Sequence, residues 1–219
     1  MVTPNKGSTF AQLVKAKLPI GMALPDEFSE LFDWIENNGG TSSYPDGRKY
    51  AVIEPSQINR QGGSSICFQE PYDNHWMCPA DTNPKEAMRL RPFLRTGGDG
   101  SCAAFWLDDQ GVQRIVHIGS GSGSIIIGIW VETPLDLLKL LAVGYEELCW
   151  EESYDQKPID ACYEPGNFSK PSLYRAWLSD KYGITIPNTA AEIVNDMSKM
   201  GEPSDDPFCI WAASLNDRG

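Results

Sequence analysis

Cysteine and histidine are the residue types in this sequence best suited to nucleophilic or metal chemistry. Cys67 or Cys102 could pair with His117 as a thiol and its base, and His75 with Cys78 has a zinc-like H-x-x-C spacing. Neither arrangement is complete, because no second pair of metal ligands and no signature of an orienting group or oxyanion hole accompanies them. We therefore predict structural histidines and buried thiols, with no metal, no cofactor and no catalytic residue.

A glycine–serine run at residues 119–124 has the composition of a phosphate-binding loop. It lacks the Gly-Lys-Ser/Thr ending of such loops, and the residues that follow it are apolar and β-prone. No helix N-terminus is then available to bind a phosphate, and we expect the run to be a turn between two strands.

Carboxylates are far more numerous than cysteines and histidines. The 219 residues include 30 Asp and Glu against 18 Lys and Arg, a formal net charge of −12, and residues 146–164 contribute half of it. Such a surface repels nucleic acid and anionic lipid and attracts a basic protein. For each carboxylate the alternative is a solvated turn or surface. The carboxylates that we expect to contact a basic partner belong to Asp99, Asp108, Asp109, Glu146, Glu147, Glu151 and Glu152.

The composition argues against several other classes of protein. No apolar run approaches the roughly 20 residues that a membrane helix needs, and residues 1–6 contain no apolar signal region. Six cysteines are too few for a disulfide scaffold, while a hydrophobic content of 41% argues against disorder. We predict a folded cytoplasmic protein with reduced thiols, no membrane contact and no direct binding of nucleic acid.

Helices are predicted where apolar residues recur at i, i+3, i+4 and i+7. In residues 25–37 this spacing is followed by Phe28, Leu31, Phe32 and Ile35, with acidic residues on the other face. A further helix is predicted after Thr133, an N-cap residue that a proline follows. The other predicted helices are residues 9–17, residues 172–182 and residues 189–200.

Three β-prone runs separated by short turns predict an antiparallel meander, because their connections are too short for parallel crossovers. These runs are residues 103–107, 114–118 and 125–131. Shorter β-prone runs are residues 50–53, 65–68 and 75–77.

The order of helices, strands and helices predicts an α+β fold rather than a doubly wound one. We expect a central antiparallel sheet flanked by helices in residues 1–150. Residues 151–219 are predicted to form an acidic loop and a C-terminal helical extension packed on the same domain.

Three segments resemble the SUKH superfamily, which includes the fungal cell-wall assembly regulator and many bacterial immunity proteins. They are a Leu-Pro-x-x-Phe helix start, a Gly-Asp-Gly turn before two signature strands, and a closing helix after Thr133. The likeness covers roughly residues 18–150 and is loose over residues 41–95. The residues that carry the first two segments are Leu24, Pro25, Phe28, Phe32, Gly98, Asp99, Gly100, Trp106 and Leu107.

The resemblance implies an α+β fold and, in bacteria, binding and neutralisation of a cognate toxin, often a nuclease or deaminase. An acidic protein that presents rival negative charge to a basic, nucleic-acid-directed enzyme agrees with that expectation. We therefore expect an immunity-type protein that occludes a basic toxin domain and is not an enzyme. The alternatives are a regulatory scaffold that binds other proteins of its cell and, less favoured, an enzyme using Cys102 and His117. The oligomeric state stays open.

Overall fold

The computed structural model describes residues 8–58, 66–79, 81–162 and 168–216. Within these ranges eight strands form one antiparallel sheet, and each strand pairs with the next along the chain. The strands are β1 (Thr41–Ser43), β2 (Lys49–Ala51), β3 (Cys67–Gln69), β4 (Leu90–Arg95), β5 (Cys102–Leu107), β6 (Gln113–Ile118), β7 (Ile126–Val131) and β8 (Ser198–Lys199). The helices are α1 (Thr9–Lys17), α2 (Asp26–Asn37), α3 (Pro84–Ala87), α4 (Pro134–Val143), α5 (Pro158–Ala161), α6 (Ser172–Tyr182) and α7 (Pro207–Asn216).

The predicted meander is present and forms the centre of the sheet. β5 pairs with β6 over six residues, from Cys102 opposite Ile118 to Leu107 opposite Gln113, and β6 pairs with β7 across the glycine–serine turn. Gly111 turns the chain between β5 and β6 with a φ of +77°, a conformation that favours glycine. The α+β class is confirmed, since helices precede, follow and cover one antiparallel sheet.

One face of the sheet is covered by α1, α2 and α4, and α6 packs on α4. The apolar stripe of α2 is buried as predicted, and the ring of Phe28 lies 5.5 Å from that of Phe93 and 5.8 Å from that of Phe105. The hydroxyl of Thr133 caps α4 by accepting a hydrogen bond from the Asp136 N–H at 3.2 Å. Burial of the apolar side chains of α1, α2 and α4 therefore fixes these helices on this face of the sheet.

The opposite face is covered by α7. Side chains of β5 alternate between the two faces of the sheet. Ala103 and Phe105 belong to the first hydrophobic core, on the side of α1, α2 and α4, while Trp106 belongs to the second, on the side of α7. The Trp106 ring lies 5.3 Å from Phe208 and 5.7 Å from Trp211. Both faces of the central strands are thereby removed from water.

Two predicted elements are wrong. Residues 75–77 form a turn rather than a strand, because the Asn74 side chain accepts the Met77 N–H at 3.1 Å and the Asn74 carbonyl accepts the Cys78 N–H at 2.8 Å. Residues 189–200 contain one 3-10 turn, Ala190–Glu192, and then β8 instead of a helix.

The physical reason for the second error is the free edge of β7. The predicted capping interaction forms, since the Thr189 N–H donates to the Glu192 carboxylate at 3.2 Å. The chain then turns to pair with β7: the N–H of Asn195 donates to Trp130 and that of Met200 donates to Ile125. Pairing with unsatisfied backbone groups of the sheet outweighs local helix propensity here.

The C-terminal part of the chain supplies more than helices. Helix α6 is present where it was predicted, whereas β8 and α7 were not predicted. Asp206 holds α7 in place by accepting the N–H groups of Phe208, Cys209 and Ile129 at 2.7, 3.2 and 2.7 Å. The last of these bonds joins the start of α7 to β7, so this segment completes the sheet and its second core.

The residues that carry the family resemblance occupy structural positions. Leu24, Phe28, Phe32 and Trp106 are buried, and Leu107 is half-buried at the end of β5. Pro25 directly precedes α2, and Gly98, Asp99 and Gly100 lie in the turn between β4 and β5.

Candidate functional site

Asp99 is the centre of a hydrogen-bond network between two loops. Its carboxylate accepts the N–H and the hydroxyl of Ser101, each at 2.9 Å, the hydroxyl of Ser120 at 2.8 Å and the N–H of Ser124 at 2.9 Å. Burial tends to raise the pKa of this carboxyl, but these hydrogen bonds outweigh it and hold the pKa below its ordinary value. Asp99 therefore fixes the glycine–serine turn in place from within the fold.

Two glycines make this network possible. A Cβ on Gly97 would clash with the sulfur of Cys149, and a Cβ on Gly123 would lie 2.8 Å from the Asp99 carboxylate. The expected turn between two strands is confirmed, and Gly123 within it allows close packing against Asp99.

Glu147 lies beside the same turn. Its carboxylate accepts the Gly98 N–H at 2.7 Å and the indole N–H of Trp150. Glu147 therefore ties the loop after α4 to the turn between β4 and β5.

Asp108 and Asp109 lie at the other end of β5. Asp108 accepts the N–H groups of Gln110 and Val112 at 2.9 and 2.8 Å, while Asp109 forms an ion pair with Arg89 at 2.7 Å. Six strand residues separate this turn from Asp99, a distance of about 20 Å. The seven predicted carboxylates therefore do not form one patch.

The remaining predicted carboxylates lie together after α4. Glu146 and Glu152 are exposed, Glu151 is half-buried, and Glu151 with Glu152 begins the 3-10 turn Glu151–Ser153. Asp155, also exposed, extends the same acidic surface. We call residues 146–155 the acidic segment.

Tyr145 anchors the acidic segment to the core. Its hydroxyl donates to the Gln156 carbonyl at 2.6 Å and accepts the Ala190 N–H at 3.0 Å, and the side chain is almost fully buried. The segment is consequently held at a defined place, at one end of the sheet.

A cavity of about 130 Å³ opens next to the acidic segment. It lies between the loop after β2, strand β3, the end of α4 and residues 168–171. Tyr145, Glu146 and Glu54 line it together with the polar residues Ser56, Gln57 and Ser169 and with a set of apolar side chains. The apolar wall is formed by Val52, Ile66, Phe68, Leu141, Phe168 and Pro171.

Glu54 is the residue of this site that sequence patterns missed. Its side chain is half-buried, and nothing in the described ranges donates a hydrogen bond to its carboxylate or forms an ion pair with it. Burial raises the pKa of this carboxyl above its ordinary value. A single glutamate after a β-prone run carries no distinguishing signal, so only the folded arrangement reveals it.

The candidate thiol–imidazole pair of the less favoured alternative does not assemble at Cys102. Cys102 lies opposite Ile118 and Ala103 lies opposite His117, so the Cys102 and His117 side chains lie on opposite faces of the sheet. Burial raises the pKa of the Cys102 thiol to about 12, which disfavours a thiolate.

His117 is a buried structural residue, as predicted. Its ring bonds the Thr96 hydroxyl at 2.9 Å and packs against Trp130 at 4.9 Å. Burial lowers the pKa of this imidazole to about 4, so the ring is neutral at physiological pH. Within the described residues no three histidine, cysteine or acidic side chains converge as metal ligands would.

Two findings bear on the molecule as a whole. None of the helices in the described ranges combines the length and the apolar composition needed to cross a bilayer.

Comparison with protein-family models, with curated proteins and with solved structures gives no match for this chain. The site is therefore interpreted from its own geometry.

Proposed function

We propose that this protein binds and neutralises a basic protein partner, as an immunity protein binds its toxin. The observation that carries the proposal is the acidic segment, a run of carboxylates anchored beside an open cavity. Clustered negative charge accelerates encounter with a basic surface, and a cavity beside it can enclose one side chain of the partner. The resemblance to the SUKH superfamily supports this class of partner.

The proposed mechanism is occlusion of the partner's cationic surface. A nuclease or deaminase domain binds nucleic acid through lysine and arginine, and the acidic segment would occupy the same side chains. The proposal assigns no catalytic role to Cys102 or His117. It includes the cytoplasmic location that the sequence predicts, in which the six cysteines, all free thiols, would stay reduced.

Capture with matched baits tests this proposal. The wild-type protein and a variant with Glu146, Glu151, Glu152 and Asp155 changed to lysine are used to capture proteins from the source cell. We expect the wild type to recover a protein with a basic domain and the variant to lose it. Recovery of the same protein by both baits would refute the role of the acidic segment.

Co-expression then tests neutralisation. The recovered partner is expressed alone and together with the wild-type protein. We expect growth arrest by the partner alone and growth in the presence of the wild type. Normal growth under both conditions would overturn neutralisation and favour the regulatory scaffold.

A further inference from the structure

The Glu54 carboxylate is half-buried and, among the residues that the structure describes, has no hydrogen bond or ion pair. A carboxylate taken partly out of water without a hydrogen bond or an ion pair costs free energy. In this structure the carboxylate lines a cavity together with apolar side chains and the uncharged polar residues Ser56, Gln57 and Ser169. An unpaired charge in such a place indicates a ligand of opposite charge.

The size and lining of the cavity restrict that ligand. A volume of about 130 Å³ is close to the roughly 150 Å³ cavity that holds a benzene ring, so one side chain or one small ring fits. An anion would be repelled by Glu54 and Glu146, and a neutral group could donate a hydrogen bond to the Glu54 carboxylate but would leave its charge uncompensated. A hard metal ion prefers several carboxylate ligands, and among the described residues no three acidic, histidine or cysteine side chains converge.

Among organic cations, a planar one fits best. A lysine ammonium is compact and strongly hydrated, so entry into a confined cavity removes more hydration from it than from a guanidinium. A guanidinium is weakly hydrated, can stack on an aromatic ring such as that of Phe168, and pairs with a carboxylate through two hydrogen bonds.

We propose that this cavity binds a guanidinium group against Glu54, supplied in the complex by an arginine side chain of the basic partner. The inference rests on the proposed function for the source of the arginine, whereas the preference of the cavity for a planar cation rests on its own geometry. The acidic segment then attracts the partner, and Glu54 receives one arginine at the centre of the contact.

The test is an NMR titration of the wild-type protein with three probes of one shape. Benzamidine carries a planar amidinium, benzylamine an ammonium, and benzamide a neutral amide. We expect benzamidine to shift the backbone amide signals of Val52, Phe68 and Tyr145 and to bind about tenfold more tightly than benzamide. Benzylamine should bind less tightly than benzamidine.

Two variants show whether Glu54 is responsible. Glu54→Gln keeps the shape of the side chain and should weaken benzamidine binding about tenfold, to the level of benzamide. Glu202→Gln, at an exposed glutamate outside the cavity, should leave binding unchanged. Equal binding of the three probes, or benzamidine binding that Glu54→Gln does not alter, would overturn the inference.

This titration needs no protein partner, so its outcome is separate from that of the capture experiment. Failure of the titration overturns the arginine site and leaves the role of the acidic segment standing. Failure of the capture overturns the proposed function and leaves a measured titration result intact. With a captured partner, Glu54→Gln should also weaken the complex about tenfold, and an unchanged affinity would contradict the arginine site.

Discussion

The hydroxyl of Tyr145 donates a hydrogen bond to the carbonyl of Gln156 over 2.6 Å, while its ring lines the cavity beside Glu54. One side chain thus connects the proposed arginine site with the acidic segment. The same hydroxyl accepts the N–H of Ala190, so the 3-10 turn at Ala190–Glu192 depends on it too.

Removal of this hydroxyl should loosen the acidic segment. Tyr145→Phe leaves the Ala190 N–H and the Gln156 carbonyl without their partner, and we expect a loss of about 1–3 kcal/mol in the free energy of unfolding. Hydrogen exchange should accelerate at the amides of residues 151–156. Tyr50→Phe, at a half-buried tyrosine of β2, serves as the control. Unchanged stability and exchange in Tyr145→Phe would show that the hydroxyl does not anchor the segment.

Buried His117 predicts a dependence of stability on pH. The ordinary pKa of histidine is 6.5, and burial lowers that of His117 to about 4, although the nearby Asp99 charge opposes the shift. Between these values the unfolded chain binds a proton that the folded protein does not, so stability falls as the pH drops from about 6.5 to about 4. Over this pH range we expect the free energy of unfolding to fall by roughly 3 kcal/mol.

Urea unfolding at a series of pH values measures this effect. Wild type should lose stability steadily over the window, whereas His117→Gln should lose much less, whatever its stability at neutral pH. Asp99 does not produce the same slope, because its pKa lies below the ordinary value of 3.8 and its contribution disappears only at lower pH. Parallel curves for wild type and His117→Gln would contradict the assignment.

The elements that the sequence predicted correctly are those with local signals. The stripe of Phe28, Leu31, Phe32 and Ile35 and the cap at Thr133 depend on residues within one helix. The turns of the meander are likewise short and local, so periodicity and turn residues were enough to predict them.

Two of the elements that were not predicted, β8 and α7, depend on contacts distant in sequence. β8 forms because β7 offers a free edge, as the bond from the Met200 N–H to the Ile125 carbonyl shows. Helix α7 depends on Asp206 meeting the Ile129 N–H, 77 residues away. The cavity likewise joins the loop at Glu54 to residues after α4, and no pattern in either segment refers to the other.

The bond from Asp206 to β7 should hold α7 on the second core. Asp206→Ala removes the acceptor of three N–H groups. We expect the free energy of unfolding to fall by about 2 kcal/mol and hydrogen exchange along α7 to become faster. Asp205→Ala changes the exposed neighbour and should change stability by less than about 0.5 kcal/mol. Equal effects of the two variants would refute the role given to Asp206.

Glu54 should oppose stability while it serves binding. Burial raises the pKa of its carboxyl, so the folded protein is penalised at pH values above that pKa and not below the ordinary value of 4.5. Glu54→Gln should therefore raise the thermal midpoint at neutral pH by about 2 °C, and the gain should vanish in acid. A lower midpoint at neutral pH would mean that the carboxylate stabilises the fold.

The rate of association between this protein and its captured partner tests the central claim most directly. Stopped-flow traces at low and high salt compare the wild type with the variant carrying lysine at Glu146, Glu151, Glu152 and Asp155. A control variant with the same net charge carries four lysines at other exposed acids, Asp81, Asp180, Glu202 and Asp205. We predict that reversal of the acidic segment slows association about tenfold or more at low salt and removes most of its salt dependence, while the control changes the rate far less. Equal rates for the two variants would contradict the claim that the acidic segment guides a basic partner to the cavity.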